Sequence, residues 1–315
     1  MLAILNVTTP FFALVLCGYL AARFRTLPEN AVPALNTFVL YFALPCMLFR
    51  FAAGASFGDI VNVPVFLAYM VAGLFALALV VAAMRYGAGE GLRDATFAAL
   101  AVSWSNWGYM GIPLIPALLG PAALAPLIAA GMADLLVVVS AALGIASLGN
   151  HDTGGARVAL TGALTHIAKN PLIWAVIAGG VFSALELHLL APVDQLVRLL
   201  GQAAGPVALF TIGVSLYRPN TRAWGGDVLA IAGAKLLLHP CLAGAVALYA
   251  FHLRQLEVHT LVLAAALPVG GSVFLFAERQ GANAERIAAA ILVSTALAFV
   301  SFSTLCWALG IRLPG

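Results

Sequence analysis

An all-α polytopic membrane protein is the fold class this chain predicts, with ten transmembrane helices in two inverted repeats of five and with helices 4 and 9 broken. Three observations carry that prediction. The 315 residues are 63% hydrophobic and only 9% charged, with mean hydropathy +1.05, whereas a soluble domain carries about 25% charged residues. Apolar runs long enough to cross about 30 Å of hydrocarbon recur along the whole sequence and leave no stretch for a separate soluble domain. Two of those runs carry clustered proline and glycine at matching places.

The spans are expected near residues 4–22, 32–51, 62–84, 95–119 and 123–147, then 171–190, 194–216, 227–250, 258–277 and 284–309. The first opens MLAILNVTT without a basic leader, and further spans follow at once, so it reads as a permanent helix and not as a cleaved signal. The second is kinked at Pro45 in FALPCMLF. The fourth contains SWSNWGYMGIPLIPALLG, residues 103–120, and the fifth holds Asp134, the one carboxylate deep in any span. The connection 148–170 is glycine-containing and mildly amphipathic and reads as a cytoplasmic linker. Beyond it, the seventh span kinks at Pro206, the eighth holds Lys235 and His239, and the ninth is interrupted at LPVGGSVF, residues 267–274. The expected division is therefore a first repeat over 1–147, the linker over 148–170 and a second repeat over 171–315.

Basic residues set the expected orientation. Links after the odd-numbered spans hold ten Lys and Arg, against four on the other side, which places both termini outside the cytoplasm in a cell (inner) membrane. Sliding the second half over the first by 161 positions pairs Pro10 with Pro171, Pro45 with Pro206, Asp134 with Thr295 and Ser140 with Ser301. Five spans per half is an odd number, so the second half inserts upside down.

The broken segments are the candidate site. Proline removes a backbone donor, glycine tolerates unwinding, and freed backbone groups survive in a membrane only where protein or a wet cavity satisfies them. Half-helix N-termini there suit an anion such as a carboxylate. Candidate substrate-binding residues are Ser105, Asn106, Gly108, Tyr109, Gly111 and Pro113 in the first half, and Pro268, Gly270, Gly271 and Ser272 in the second. The Asn106 amide both donates and accepts, and the rival role for it is to cap the second half-helix. Asp134 and Lys235 are candidates for coupling or charge tuning. An acid at midplane must pair, hydrate or stay neutral. Lys235 either serves an anion site, pairs with Asp134, or snorkels its long stem to the interface. His239 by itself reads as a hydrogen-bonded helix residue.

Other chemistries find little support. Cys17, Cys46, Cys241 and Cys306 all lie in apolar runs without disulfide or metal spacing, so no metal and no cofactor is expected. The net charge of +3 is explained by topology and gives no ground for a nucleic-acid partner. No His or Asp pair at ligand spacing points to an intramembrane enzyme.

At NWGYMGIPL, residues 106–114, the chain resembles the auxin efflux carrier family, whose fourth helix carries an Asn and a Met-Gly-Ile-Pro-Leu run. ALPVGGSVFLFAERQG at 266–281, AILVSTALAF at 290–299 and FALPCMLF are similar to that family's ninth, tenth and second helices. The resemblance implies the fold of the plant PIN carriers and the bile acid sodium symporters. It further implies a scaffold of helices 1, 2, 6 and 7 that forms a homodimer, and a transport body of helices 3–5 and 8–10 that moves around the crossing of helices 4 and 9. Bacterial members are described as carriers of malonate or related organic acids. Two departures stand out: Ser272 where many members have Asn, and Val273 where the plant carriers have a further proline. The long cytoplasmic loop of the plant carriers is absent.

The expected function is a gradient-driven carrier of a small organic anion by alternating access, with a coupling proton favoured over sodium because of Asp134. A non-transporting membrane receptor for the same ligand is the alternative. The chain ending at Gly315, straight after span ten and without an appended signalling domain, weighs against it.

Overall fold

The computed structural model describes residues 2–28, 31–54, 62–148, 171–217 and 225–311. Most of the expected linker, together with Arg157, Lys169, Arg218, Arg222 and Arg312 of the topology count, lies outside the described residues. Among the described residues the regular structure is helical, with one isolated antiparallel bridge. In chain order the helices are α1 (Leu2–Arg23), α2 (Ala31–Gly54), α3 (Val63–Gly87), α4 (Leu92–Ser103), α5 (Trp107–Leu119), α6 (Pro121–Leu148), α7 (Pro171–Ala184), α8 (Ala191–Leu216), α9 (Gly226–Ala250), α10 (Gln255–Ala266), α11 (Ser272–Arg279) and α12 (Ala284–Ala308).

Seven of these, α1, α2, α3, α6, α8, α9 and α12, are long and apolar enough to cross a membrane. The expected fourth and ninth spans are each split in two, as the prolines and glycines dictate. The expected sixth span differs. Its helix stops after 14 residues at Ala184, about 21 Å of rise, and the chain turns at Glu186 with φ 52°. Asparagines start two of the long helices: the Asn62 side chain accepts from the Val65 N–H (3.2 Å) and that of Asn283 from the Arg286 N–H (3.1 Å).

The helices pack in two groups. In the first, α1 lies on α8, and α2 lies on both α7 and α8. Glycines make these contacts. A Cβ on Gly18 would fall 2.0 Å from the Phe210 carbonyl oxygen and one on Gly213 1.9 Å from that of Val15, so each of α1 and α8 seats a glycine against the other's backbone. Gly179 likewise sets α7 close to α2, where a Cβ would fall 2.5 Å from the Phe49 carbonyl oxygen.

In the second group, α3, α4, α6, α9, α10 and α12 pack among themselves. Ion pairs fasten this group at both ends, one largely buried and one with its arginine exposed. Arg286 donates to both carboxylate oxygens of Glu90 (2.5 and 2.9 Å) and to the Asp94 carbonyl (3.0 Å), joining the starts of α12 and α4. At the opposite end, Glu257 of α10 accepts from Asn62 (2.8 Å) and Arg254 (2.7 Å). Wide turns with i→i+5 hydrogen bonds interrupt several helices, and three of them hold Trp107–Gly111, Asp134–Val138 and Ala234–Leu238. Such turns often mark functional positions, because they displace a side chain without ending the helix.

Candidate functional site

The two breaks meet. Helix α4 ends where Trp104 becomes extended (φ −100°, ψ 119°), and α10 ends where Leu267 does the same (φ −63°, ψ 154°). Ser105 and Val269 then form the antiparallel bridge. The Asn106 N–H donates to the Pro268 carbonyl (3.0 Å), and the Gly270 N–H donates to the Trp104 carbonyl (3.2 Å). Each broken segment thus satisfies the other's freed backbone, which is what a non-helical stretch inside a membrane requires. Gly270 is essential to the approach, since a Cβ there would sit 2.9 Å from the Trp104 ring and 3.2 Å from the Ser105 carbonyl oxygen.

Past the bridge, the Asn106 carbonyl accepts from the N–H groups of Met110 and Gly111 (both 3.1 Å) and starts α5. The N–H groups of Trp107, Gly108 and Tyr109, in the first turn, have no intrahelical acceptor. The Asn106 side chain does not cap that turn, against the capping role weighed for it, and its amide hydrogen-bonds to no described residue. Open space surrounds the positions a Cβ would take on Gly108 and Gly271. Gly111 instead packs against Leu267, and Pro113 against Gly205 of α8. The Ser272 side chain, at the first position of α11, likewise bonds to no described residue.

Behind the bridge lies a buried polar cluster. Lys235 is fully buried, so its stem does not snorkel. Its ammonium donates to Ser105 Oγ (2.6 Å), His239 Nδ1 (2.9 Å) and the Ala265 carbonyl (3.0 Å), a tripod that uses all three of its hydrogens. Ser105 Oγ also shares a hydrogen bond with the Tyr69 hydroxyl (3.2 Å), and the Tyr69 ring lies 5.6 Å from that of His239. Asp134 is fully buried too. It forms no ion pair with Lys235, and neither carboxylate oxygen has a hydrogen-bond partner among the described residues, although the carboxylate faces the Ser105 backbone. On the other strand of the bridge, the Val269 N–H donates to Ser294 Oγ (3.2 Å) on α12.

Tyr69 was not among the residues expected from sequence, and His239 was read as a hydrogen-bonded helix residue, which it is, but not as a partner of Lys235. A tyrosine midway along an apolar helix carries no signal that separates it from core. His239 had one, for it sits one turn after Lys235 and faces the same way.

The profile of the family described as Membrane transport protein matches residues 3–151 and 155–306. The chain is similar to a protein of Rhizobium meliloti (strain 1021) named "Putative malonate transporter", 31% identical over 309 residues, which covers 98% of this chain and 96% of that one. It is also similar to "Uncharacterized transporter YfdV" of Escherichia coli (strain K12), 26% identical with 92% of each chain covered. An "Uncharacterized transporter" of Methanothermobacter thermautotrophicus is 25% identical over 91% of this chain and 92% of its own. These relatives are transporters and not enzymes. The chain belongs to the membrane transport protein family, the auxin efflux carrier family that its broken-helix motifs resemble.

Proposed function

We propose that this protein is a secondary carrier that moves a small organic anion, malonate or a related carboxylate, by alternating access at the crossing of the two broken segments. The observation that carries the reading is the bridge between Ser105 and Val269, with the unpaired Asn106 amide beside it and the Lys235 ammonium behind it. The Asn106 and Ser272 side chains contact the substrate, and first-turn N–H groups at Gly108 and Tyr109 supply further donors. Lys235, held on Ser105, puts positive charge at the back of the crossing, where an anion gains most from it. The "malonate" in the Rhizobium meliloti relative's name supports the carboxylate class.

The helices read as ten spans in two inverted repeats. The split at 104–106 answers to the one at 267–271, and each bridge strand is backed by the second helix after it, Asp134 on α6 and Ser294 on α12. In this reading α1, α2, α7 and α8 form a scaffold that dimerises in the inner membrane, with both termini outside, while the remaining helices move as a body. A proton is the coupling ion, and Asp134 its carrier.

The test is uptake of labelled malonate into proteoliposomes under imposed pH and sodium gradients. The expected result is uptake driven by the pH gradient and lowered about 10-fold or more by Asn106→Ala, the loss of a hydrogen bond to a charged group. Absence of uptake under every gradient, or wild-type uptake by Asn106→Ala, overturns the reading.

A further inference from the structure

A cavity of about 590 Å³ lies away from the polar cluster, between α1, α2, α8 and the half-helix α5. That volume is in the range of small-molecule sites. Its floor is one face of α8, on which Arg198, Gly201, Gln202 and Gly205 follow at helical spacing. The glycines thin the wall. A Cβ on Gly201 would come 3.2 Å from the Met47 backbone, and one on Gly205 would come 3.0 Å from Pro113, which belongs to the half-helix leaving the bridge.

Charge singles this cavity out. Its lining holds two arginines and no carboxylate. Arg50 is partly neutralised by Asp194, which accepts from its guanidinium. Arg198 has no hydrogen bond or ion pair with any described residue. It sits seven residues into a membrane-spanning helix that starts at Ala191, about 10 Å along. Arg198 is exposed and has no partner among the described residues, so its guanidinium is open to an anion entering the cavity. Gln202, one turn further along the same face, adds an amide that donates or accepts.

We propose that this cavity is a second anion site, in which Arg198 and Gln202 take the carboxylate of a small organic acid and Arg50 adds positive charge beside it. Its place as a waiting station on the transport path rests on the crossing reading, through the shared Pro113; the binding itself does not.

The test counts labelled malonate bound to the purified protein in maltoside micelles, with monodispersity by size exclusion as the folding check. The expected result is two malonates per chain for the wild type. Asn106→Ala leaves one, Arg198→Gln leaves one, and the double variant leaves none. Arg198 has no internal partner to lose, and Gln202→Leu, expected to weaken the same site several-fold, serves as the independent second variant. Asp194→Asn frees Arg50 and tightens the Arg198-dependent site several-fold.

A single malonate that Asn106→Ala abolishes and Arg198→Gln leaves untouched overturns the cavity site and spares the crossing. One malonate abolished by Arg198→Gln and indifferent to Asn106→Ala supports the cavity and removes the crossing. Displacement of the Arg198-dependent malonate by phosphatidylglycerol at trace amounts, with no malonate bound in lipid nanodiscs, identifies a lipid phosphate as the occupant and overturns the carboxylate assignment.

Discussion

The glycine-packed group of helices and the polar crossing solve the same problem, association inside a bilayer, in opposite ways. Between α1 and α8, Gly18 and Gly213 lay backbone on backbone, so close that no other side chain fits. In a membrane, where burial of apolar surface against apolar surface gains little, such small-residue contacts hold helices through van der Waals packing. At the crossing, contact is made instead by a few directed hydrogen bonds between freed backbone groups, with the Lys235 tripod behind them. The first arrangement has one low-energy register. The second leaves polar groups such as the Asn106 amide and the Asp134 carboxylate without hydrogen-bond partners among the described residues, and groups of that kind can change partners when a substrate or proton arrives.

Substitutions should separate the two regions, and the largest effect is expected in the glycine seam. Gly213→Val places side-chain carbons where the Val15 carbonyl stands, and overpacking of that kind costs about 3 kcal/mol or more. Thermal unfolding in detergent should show a large loss of stability, and an unchanged melting profile would mean that α1 and α8 are not seated as described. Lys235→Met comes next. It removes the shared donor of Ser105 Oγ, the Ala265 carbonyl and His239 Nδ1; Ser105 keeps the Tyr69 hydroxyl, so the loss comes to about 1–3 kcal/mol. Transport should be lost and stability lowered together; wild-type uptake by Lys235→Met would make the tripod mere packing.

Asp134→Asn is the sharper test, because it keeps the shape. With no hydrogen-bond partner among the described residues to lose, it should leave stability unchanged or raised while flattening the dependence of uptake on a pH gradient. An unaltered pH dependence would take Asp134 out of coupling. The smallest effect is expected at Gly144, where a Cβ meets nothing within 4 Å. Gly144→Ala should stabilise by no more than about 1 kcal/mol, as a helix-interior glycine replaced by alanine does.

Much of this contrast was legible in the sequence. Pro and Gly inside an apolar run announce an opened helix wherever they fall, so the breaks near Asn106 and Pro268 follow from local chemistry. That Ser105 and Val269 would pair is a long-range fact, and only the repeat pointed to it. Lys235 was ambiguous because a flexible stem allows burial and snorkelling alike, and what decides between them is the set of acceptors brought by α4 and α10. The Arg198 cavity was hidden for a similar reason, since its walls come from four helices distant in sequence. One signal went unused: GQAAG at 201–205 is a small-xxx-small pattern that marks the face of α8 lying closest to its neighbours.

The claim on which the rest depends is that the open space at Gly108 and Gly271 is where a carboxylate substrate binds. Gly108→Cys and Gly271→Cys, each made in a background with the four native cysteines replaced, can be alkylated in proteoliposomes with and without malonate, beside Gly144→Cys as a control. Labelling at both crossing positions is expected to slow about 10-fold at saturating malonate, with no change at Gly144→Cys. Labelling at positions 108 and 271 that malonate leaves untouched, in variants that still take malonate up, would contradict it.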